Sequence, residues 1–377
     1  MEGQGRFITG STMGHVVRMT ATGAFGITFV FLVDAANLLW LSQWGSPQQV
    51  AAIGLAFAIQ FFSVSIGVGL MIAATALVSR SIGRGDRATA RQQAGAAMVT
   101  AASIQTVVAT LLIILRHPLV DLSGATGETA VLAARYLAIS ALSLVPMAIS
   151  LVGSGVLRAE GYGAKAMYVT LFSGVLSMFV DPFLIYHYGI DGAAAGLWVF
   201  RICLVILAIY FSIFQMKLVE RPDRAMVVRL FRPFMLVALP AIATQMSTPV
   251  GNYVLTMIMA RFGDDAVAAW AVVGRLTVLV FGGIFALSGA IGGIFGQNYG
   301  AGHFDRLRSA YRDALLFCAL YTLVAWVLLW TAIPYVSQLF DLSGQGIEVL
   351  NAFAGVGVGS FMFVGALFVS NAAFNNL

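Results

Sequence analysis

The sequence is poor in charge. Only 10% of its 377 residues are Asp, Glu, Lys or Arg, whereas 60% are hydrophobic; a soluble globular domain has roughly 25% charged residues. A water-soluble surface cannot be assembled from this composition, which excludes a soluble enzyme. The high hydrophobicity also excludes an intrinsically disordered chain.

Cysteine and histidine are scarce as well, with two and four residues. Cys203 and Cys318 lie inside apolar runs, so we predict neither a disulfide framework nor a zinc site. The histidines have no HExxH or CxxC partner, and no Walker A motif is present, so the sequence indicates neither metal catalysis nor ATP hydrolysis. A membrane-embedded transferase would need an acid–base or metal cluster that the sequence lacks. We therefore expect a protein that is not an enzyme and has no cofactor.

Long apolar runs fill the chain instead. A transmembrane β-barrel needs short alternating segments, whereas these runs have the roughly 20 residues that a helix needs to cross a bilayer. The sequence therefore predicts an all-α polytopic membrane protein. Ten spans are predicted, near residues 17–42, 49–80, 90–115, 130–156, 166–187, 192–216, 234–260, 266–295, 310–333 and 346–373.

The basic residues predict the orientation. Sixteen of the 21 Lys and Arg lie in alternate connections, beginning with the N-terminal segment; Arg116, Arg135 and Arg261 lie in the opposite set, and Arg201 and Arg275 lie within spans. The positive-inside rule places the N-terminus in the cytoplasm of a multi-pass plasma (inner) membrane protein. The basic charge thus indicates topology and does not indicate a nucleic-acid partner.

The two halves of the chain share an internal repeat. Gly83 has a counterpart in Gly300 and Arg91 has one in Arg308, at the same spacing along the chain. Each copy starts on the same side of the membrane, so the repeat is parallel. Two such lobes with a cavity between them are a transporter architecture. We predict a six-helix lobe carrying a cation site over residues 1–217, and over 218–377 a second lobe with four of six helices present.

The repeat also bears on the length of the chain. A full second copy would extend past residue 377 by about the length of two helices. We therefore expect either a fragment or a natural truncation, and an inactive truncated membrane protein is one alternative for the function.

Two carboxylates lie deep inside predicted spans. Asp34 and Asp181 precede the outer glycines of their helices, Gly45 and Gly189, by two to three helical turns, which places both roughly 12–16 Å below the outer ends at about 1.5 Å per residue. A carboxylate at mid-span costs about 2.5–3.5 kcal/mol on insertion scales, so both are candidates for a functional site. Asn37 and Ser177 lie one turn from Asp34 and Asp181, respectively, and complete the candidate site.

Three interpretations of these residues stay open. The carboxylates could take up and release a proton. A Na⁺ ion could instead be coordinated by Asp34, Asp181 and Asn37, because hard cations take oxygen ligands. Arg201, at a similar depth on the sixth span, could also form a structural pair with either carboxylate.

Other polar residues indicate a substrate cavity. Asn252 is the repeat counterpart of Asp34, Gln245 is the other deep polar group of span seven, and Asn371 lies near the end of span ten. We expect these three, with Arg201, to line the cavity. Polar contacts between helices are the alternative.

Several motifs together resemble the multidrug and toxic compound extrusion (MATE) transporters. In chain order they are Val33-Asp34 and residues 51–54 (AAIG), 79–86 (SRSIGRGD), 157–161 (LRAEG), 180–185 (VDPFLI) and 296–302 (GQNYGAG). The resemblance implies twelve helices in two lobes that rock between outward-facing and inward-facing states. The chain most resembles the DNA-damage-inducible branch, truncated after the tenth helix.

The family's cation site maps onto Asp34 and Asp181. Its usual Asn one turn before the second Asp is Ser177 here, which favours H⁺ over Na⁺ as the coupling ion. The resemblance implies a monomeric secondary-active multidrug efflux antiporter that exports amphipathic or cationic organic compounds in exchange for H⁺. A Na⁺-coupled version and a lipid-linked saccharide flippase are the alternatives, and the two intramembrane arginines are few for a pyrophosphate cavity.

Overall fold

The computed structural model describes residues 5–262, 264–339 and 344–376, and within them it shows helices and no strands. Two short connections, Ala141–Ser143 and residues 353–360, join α5 to α6 and α11 to α12 into single crossings. The helices are α1 Thr12–Trp44, α2 Pro47–Gly83, α3 Arg87–Ile114, α4 Arg116–Leu122, α5 Gly127–Ser140, α6 Leu144–Ala159, α7 Gly163–Ile209, α8 Arg224–Met259, α9 Asp264–Gly300, α10 Phe304–Leu339, α11 Gln345–Ala352 and α12 Phe361–Asn376.

Nine helical stretches of the described chain are long and apolar enough to cross a bilayer. One of them, Gly163–Gln215, has 53 residues, which at about 1.5 Å per residue is far longer than the roughly 30 Å of hydrocarbon. Gly189 breaks it with a φ of 55° and a ψ of −126°, so this stretch crosses twice. The all-α polytopic fold is confirmed, and the break accounts for the tenth predicted crossing.

Polar residues at the helix starts fix where the first helices begin. The Ser11 and Ser46 hydroxyls accept hydrogen bonds from backbone N–H groups three residues later, at the starts of α1 and α2. Asp86 does the same for α3, accepting from the Thr89 N–H at 3.0 Å, and hydrogen bonding from Thr89 holds the pKa of the Asp86 carboxyl below its usual value. These caps satisfy N–H groups that a helix leaves unpaired.

Two repeat-related glycines let the halves of the chain cross closely at one end. A Cβ on Gly83, at the end of α2, would lie 2.1 Å from the carbonyl oxygen of Gln297 in α9. A Cβ on Gly300, at the end of α9, would lie 2.1 Å from the carbonyl oxygen of Arg80 in α2. Because Arg80 and Gln297 are separated along the chain by the same interval as the two glycines, the crossing is pseudo-symmetric.

The N-terminal segment, residues 5–11, covers this crossing. Phe7 is only 2% exposed, and its N–H donates to Gln297 Oε1 at 2.9 Å. Its carbonyl accepts from Arg306 Nη2 at 3.1 Å. Gln297 Nε2 donates in turn to the carbonyl of Ala159 at the end of α6, at 2.5 Å. The helix bundle is therefore closed at the end that carries the N-terminal segment.

Each half of the chain contributes apolar side chains to a cluster formed mainly by the other half. Val16 and Met19 of α1 pack in a cluster formed mainly by residues of α9, α10 and α12. Phe234 of α8 packs in the cluster of α2, α3 and α6. Val16 and Phe234 occupy equivalent positions in the two copies of the repeat. The packing of one half against the other is therefore pseudo-symmetric at these positions. The division into lobes at residue 217 stays a prediction, and apolar packing crosses it.

Candidate functional site

Asp181 is the buried centre of the candidate site. The residue is 1% exposed, and its Oδ2 accepts hydrogen bonds from Asn37 Nδ2 at 2.7 Å and from the Ser177 hydroxyl. Its Oδ1 has no hydrogen-bond partner among the described residues and lies against Gly196, where a Cβ would come within 2.4 Å of it. A buried oxygen without a partner is costly, so Asp181 stays a candidate for binding a proton or a cation.

The helices bring these groups together through a close contact of α1 with α7. Ser177 and Asp181 are four residues apart on α7 and therefore share one face. Asn37 reaches them from α1. Gly174 permits the approach, because a Cβ there would lie 2.6 Å from the ring of Phe29.

Asp34 is placed differently. It lies on α1 about one turn before Asn37 and is exposed, with no hydrogen bond to any other described residue. It interacts electrostatically with Asp181 and Arg201. The structure therefore puts Asp34 beside the site, whereas Asn37, which the sequence associates with Asp34, bonds to Asp181.

Arg201 belongs to a polar network in the first half of the chain. It is 5% exposed, and it donates to Ser143 Oγ at 2.7 Å and to Gln60 Oε1 at 3.4 Å. Tyr136, also buried, interacts electrostatically with Arg201 and with both carboxylates. Sequence reasoning missed Gln60, Ser143 and Tyr136. The amide of Gln60 in the middle of a span was an available signal, whereas a single Ser or Tyr gives none.

A pocket lies between the two halves near the closed end. Residues of α2, α8, α9 and α12 line it, among them Gln245 and Asn371. Asn252, seven residues further along α8, and Arg201 are not among the lining residues. The side chain of Arg275 lies outside the described residues. The predicted cavity set is thus divided between the pocket and other places, and its role in substrate binding stays a prediction.

A bundle of apolar helices with a buried carboxylate and a pocket between its halves has the features of a helical membrane transporter. The sequence profile of the MatE family matches residues 24–183 and 240–377, which is most of the chain, and the chain therefore belongs to this family. The predicted resemblance to MATE transporters is confirmed.

The relatives support the same class. The chain is 23% identical over 346 residues to the FAD transporter of Shewanella oneidensis, covering 90% of this chain and 76% of that protein. It is 21% identical over 346 residues to the multidrug export protein MepA of Staphylococcus aureus, covering 88% and 74%. The crystal structure of the Vibrio cholerae MATE transporter VcmN in the bent form is similar at a TM-score of 0.86 and 24% identity, over 97% of this chain and 84% of that one.

These relatives are named as transporters and not as enzymes. The chain spans about three quarters of the length of the two curated relatives. It is a multi-pass membrane protein of the MATE multidrug-type transporter family.

Proposed function

We propose that the protein is a secondary-active antiporter of the plasma membrane that exports amphipathic or cationic organic compounds in exchange for H⁺. The observation that carries the proposal is the unpartnered Oδ1 of Asp181. The Asp181 carboxylate is 1% exposed, and a buried charge in a membrane protein is costly. Binding one proton at the oxygen without a partner would neutralise that charge. Membership in a multidrug transporter family supports the export function.

The closed end of the bundle indicates which state of the transport cycle the structure represents. If the N-terminus faces the cytoplasm, as the basic residues predict, then the cytoplasmic end is shut and the carrier faces outward. In this cycle Asp34 receives the proton, assisted by Asp181. Neutralising Asp34 removes its attraction to Arg201, which frees α1 to shift and to release substrate outward.

A second candidate substrate is FAD. The FAD transporter of Shewanella oneidensis aligns with 90% of this chain. The pocket between the halves is lined by amides and hydroxyls, such as Gln245, Asn371 and Ser288, and by no carboxylate among its described lining residues. Ligand pockets have about 300–1,000 Å³, whereas this one has about 20 Å³, so FAD would enter only after the two halves move apart.

The test is transport in proteoliposomes with an imposed pH gradient. Ethidium and FAD serve as the two probes, with Na⁺ replaced by choline. We expect ΔpH-driven transport of at least one probe by the wild type and none by Asp34→Asn. Asp121→Asn is the control, because that carboxylate lies exposed on α4. Wild-type rates in Asp34→Asn, or transport driven by Na⁺ with no response to ΔpH, would contradict the proposal.

A further inference from the structure

The N-terminal segment, residues 5–11, is held at the closed end by a surface to which both halves of the chain contribute. In the second half, Asn298 lies near the end of α9 and Arg306 near the start of α10. Asn298 Nδ2 donates to the carbonyl of Phe7 at 3.2 Å. Arg306 Nη2 donates to the carbonyls of Phe7 and Gly10 at 3.1 and 3.0 Å. Because these carbonyls lie outside any helix, the surface satisfies backbone groups that would otherwise need water.

The first half contributes the turn between α6 and α7. The guanidinium of Arg6 lies over the ring of Tyr162, 3.9 Å from its centroid, which is a cation–π contact. Gly161 has a φ of 87°, and a Cβ there would lie 3.3 Å from the ring of Phe7. The N-terminal segment therefore contacts both halves at once.

Gln297 connects the two halves beneath the segment. Its side chain is fully buried, and both of its polar atoms are used. Oε1 accepts from the N–H of Phe7, whereas Nε2 donates to the carbonyl of Ala159 at the end of α6. A separation of α6 from α9 would break the second bond, and a buried polar group without a partner is costly. Water can reach this amide only if the segment above it departs, so opening of this end and departure of the segment are coupled.

The N-terminal segment can leave without unfolding a helix, because it precedes α1. Phe7 and Ile8 are its buried apolar side chains, and Phe7 packs in the cluster of α9, α10 and α12. Arg6 and Thr9 are exposed. A short segment with a small apolar anchor and hydrogen bonds through its main chain suits reversible binding, as in other peptide–groove contacts.

We propose that the surface formed by Tyr162, Gln297, Asn298 and Arg306 is a docking site for the N-terminal segment of the same chain, and that the segment must leave this site before the halves separate at this end. The segment is then an intramolecular latch on the closed state. The inference rests on the proposed antiport cycle, which requires the closed end to open, and it names the contact that controls the opening.

The test measures the opening of this end directly and does not require transport. Arg84 and His303 are exposed and lie beside the crossing, one in each half. Arg84→Cys and His303→Cys each carry a spin label in a full chain in which Cys203 and Cys318 are replaced by Ala. Double electron–electron resonance in lipid nanodiscs gives the distance between the labels. A short distance reports the closed end and a longer one reports the open end.

Weakening the latch is expected to populate the longer distance. In Phe7→Ala the ratio of open to closed molecules should rise at least about tenfold, because the loss of a buried Phe side chain costs more than a tenfold change in an equilibrium constant requires. Arg306→Gln should shift the ratio in the same direction and by less, since it removes hydrogen bonds to neutral carbonyls. Phe304→Ala and Arg308→Gln are matched controls, because both side chains are exposed near the start of α10, and they should leave the ratio unchanged.

A deletion keeps the test independent of how a point variant packs. Removal of residues 2–10 takes away the latch and retains Ser11, the cap of α1, and we expect the longer distance to dominate. A folded deletion chain with the distance distribution of the parent overturns the inference. An equal rise in Phe304→Ala or Arg308→Gln also overturns it, because any change at this end would then open the bundle.

Transport measurements separate this inference from the proposed function. If the wild type transports neither ethidium nor FAD under ΔpH, the antiport proposal fails while the distance measurements stand by their own readout. If the wild type responds to ΔpH, Phe7→Ala is expected to change the rate and keep the dependence on ΔpH, because both carboxylates are untouched. A purely structural role of Phe7 would lower the unfolding midpoint without populating the longer distance, and that result would contradict the latch.

Discussion

The two halves of the chain share a repeat but differ in the charge that they hold inside the membrane. The first half carries Asp34, Asp181 and Arg201 within its predicted spans. At the repeat position of Asp34 the second half has Asn252, and the interhelical pocket to which it contributes Gln245 and Asn371 is lined by neutral side chains. The comparison separates the charged candidate site of the first half from a pocket lining in which the second half contributes neutral side chains.

At the closed end, by contrast, the halves behave alike. Gly83 packs on Gln297 and Gly300 packs on Arg80 at the same distance. A close backbone crossing requires a residue without a side chain in both copies, whatever the chemistry elsewhere. Charge in the bilayer is costly for each group, and Asp34 of the candidate site has the neutral Asn252 at the equivalent position of the second half. Symmetry is retained in packing and lost in charge.

The largest expected effect lies in the first half. Asp181→Asn removes the buried carboxylate that, in the proposed cycle, assists the protonation of Asp34, and we expect ΔpH-driven transport to fall to the rate of protein-free liposomes. Asn252→Ala, at the equivalent position of the second half, is expected to keep the dependence on ΔpH, because this substitution removes no carboxylate. Initial rates in proteoliposomes at several pH gradients measure both. Loss of ΔpH dependence in Asn252→Ala would erase the distinction between the halves.

An intermediate effect is expected from the glycine pair. Gly83→Ala and Gly300→Ala each force a Cβ against a backbone carbonyl at 2.1 Å, and such overpacking costs about 1–3 kcal/mol. The unfolding midpoint should fall by a similar number of degrees in both variants. Gly54→Ala in α2 and Gly274→Ala in α9 are matched controls, because a Cβ there meets nothing within 4 Å. A clearly larger loss in one copy would show that the closure is not symmetric.

The smallest effect concerns an ion pair of the first half outside the spans. Arg87 donates to Glu160 at 2.7 Å, and the position equivalent to Arg87 in the second half is Phe304. Burial raises the pKa of Glu160, although Arg87 opposes this. The raised pKa means that protonated Glu160 suits the folded state, so its contribution to stability is full at low pH and is lost as the pH rises through the folded pKa.

Arg87→Ala should therefore lower the free energy of unfolding at neutral pH by about 1 kcal/mol, because Arg87 is one third exposed and water partly screens the pair. Acidification through the pKa of Glu160 should restore most of the loss. The double variant Arg87→Ala/Glu160→Gln is the control and should show little pH dependence of its midpoint. A loss of equal size at all pH values would mean that Arg87 stabilises through packing alone.

Much of the fold was open to prediction because its signals are local. The apolar runs are long enough to define the crossings, and Gly189 falls between two of the predicted spans. The depth of Asp34 and Asp181 follows from their distance along the helix. The partners of these residues were harder to predict, since Asn37 and Asp181 are 144 residues apart and bond only because α1 packs on α7.

The amino-acid sequence alone therefore determined the membrane-spanning helices, their number and the two carboxylates within the spans, because hydrophobic length and the cost of an intramembrane charge are properties of short segments. Only the tertiary structure decided that Asn37 serves Asp181, that Ser143 and Gln60 hold Arg201, and that α1 and α8 contribute to the apolar clusters of the opposite halves. Those outcomes depend on which helix faces meet, and contacts between residues far apart in the chain are set by the packing of the whole bundle.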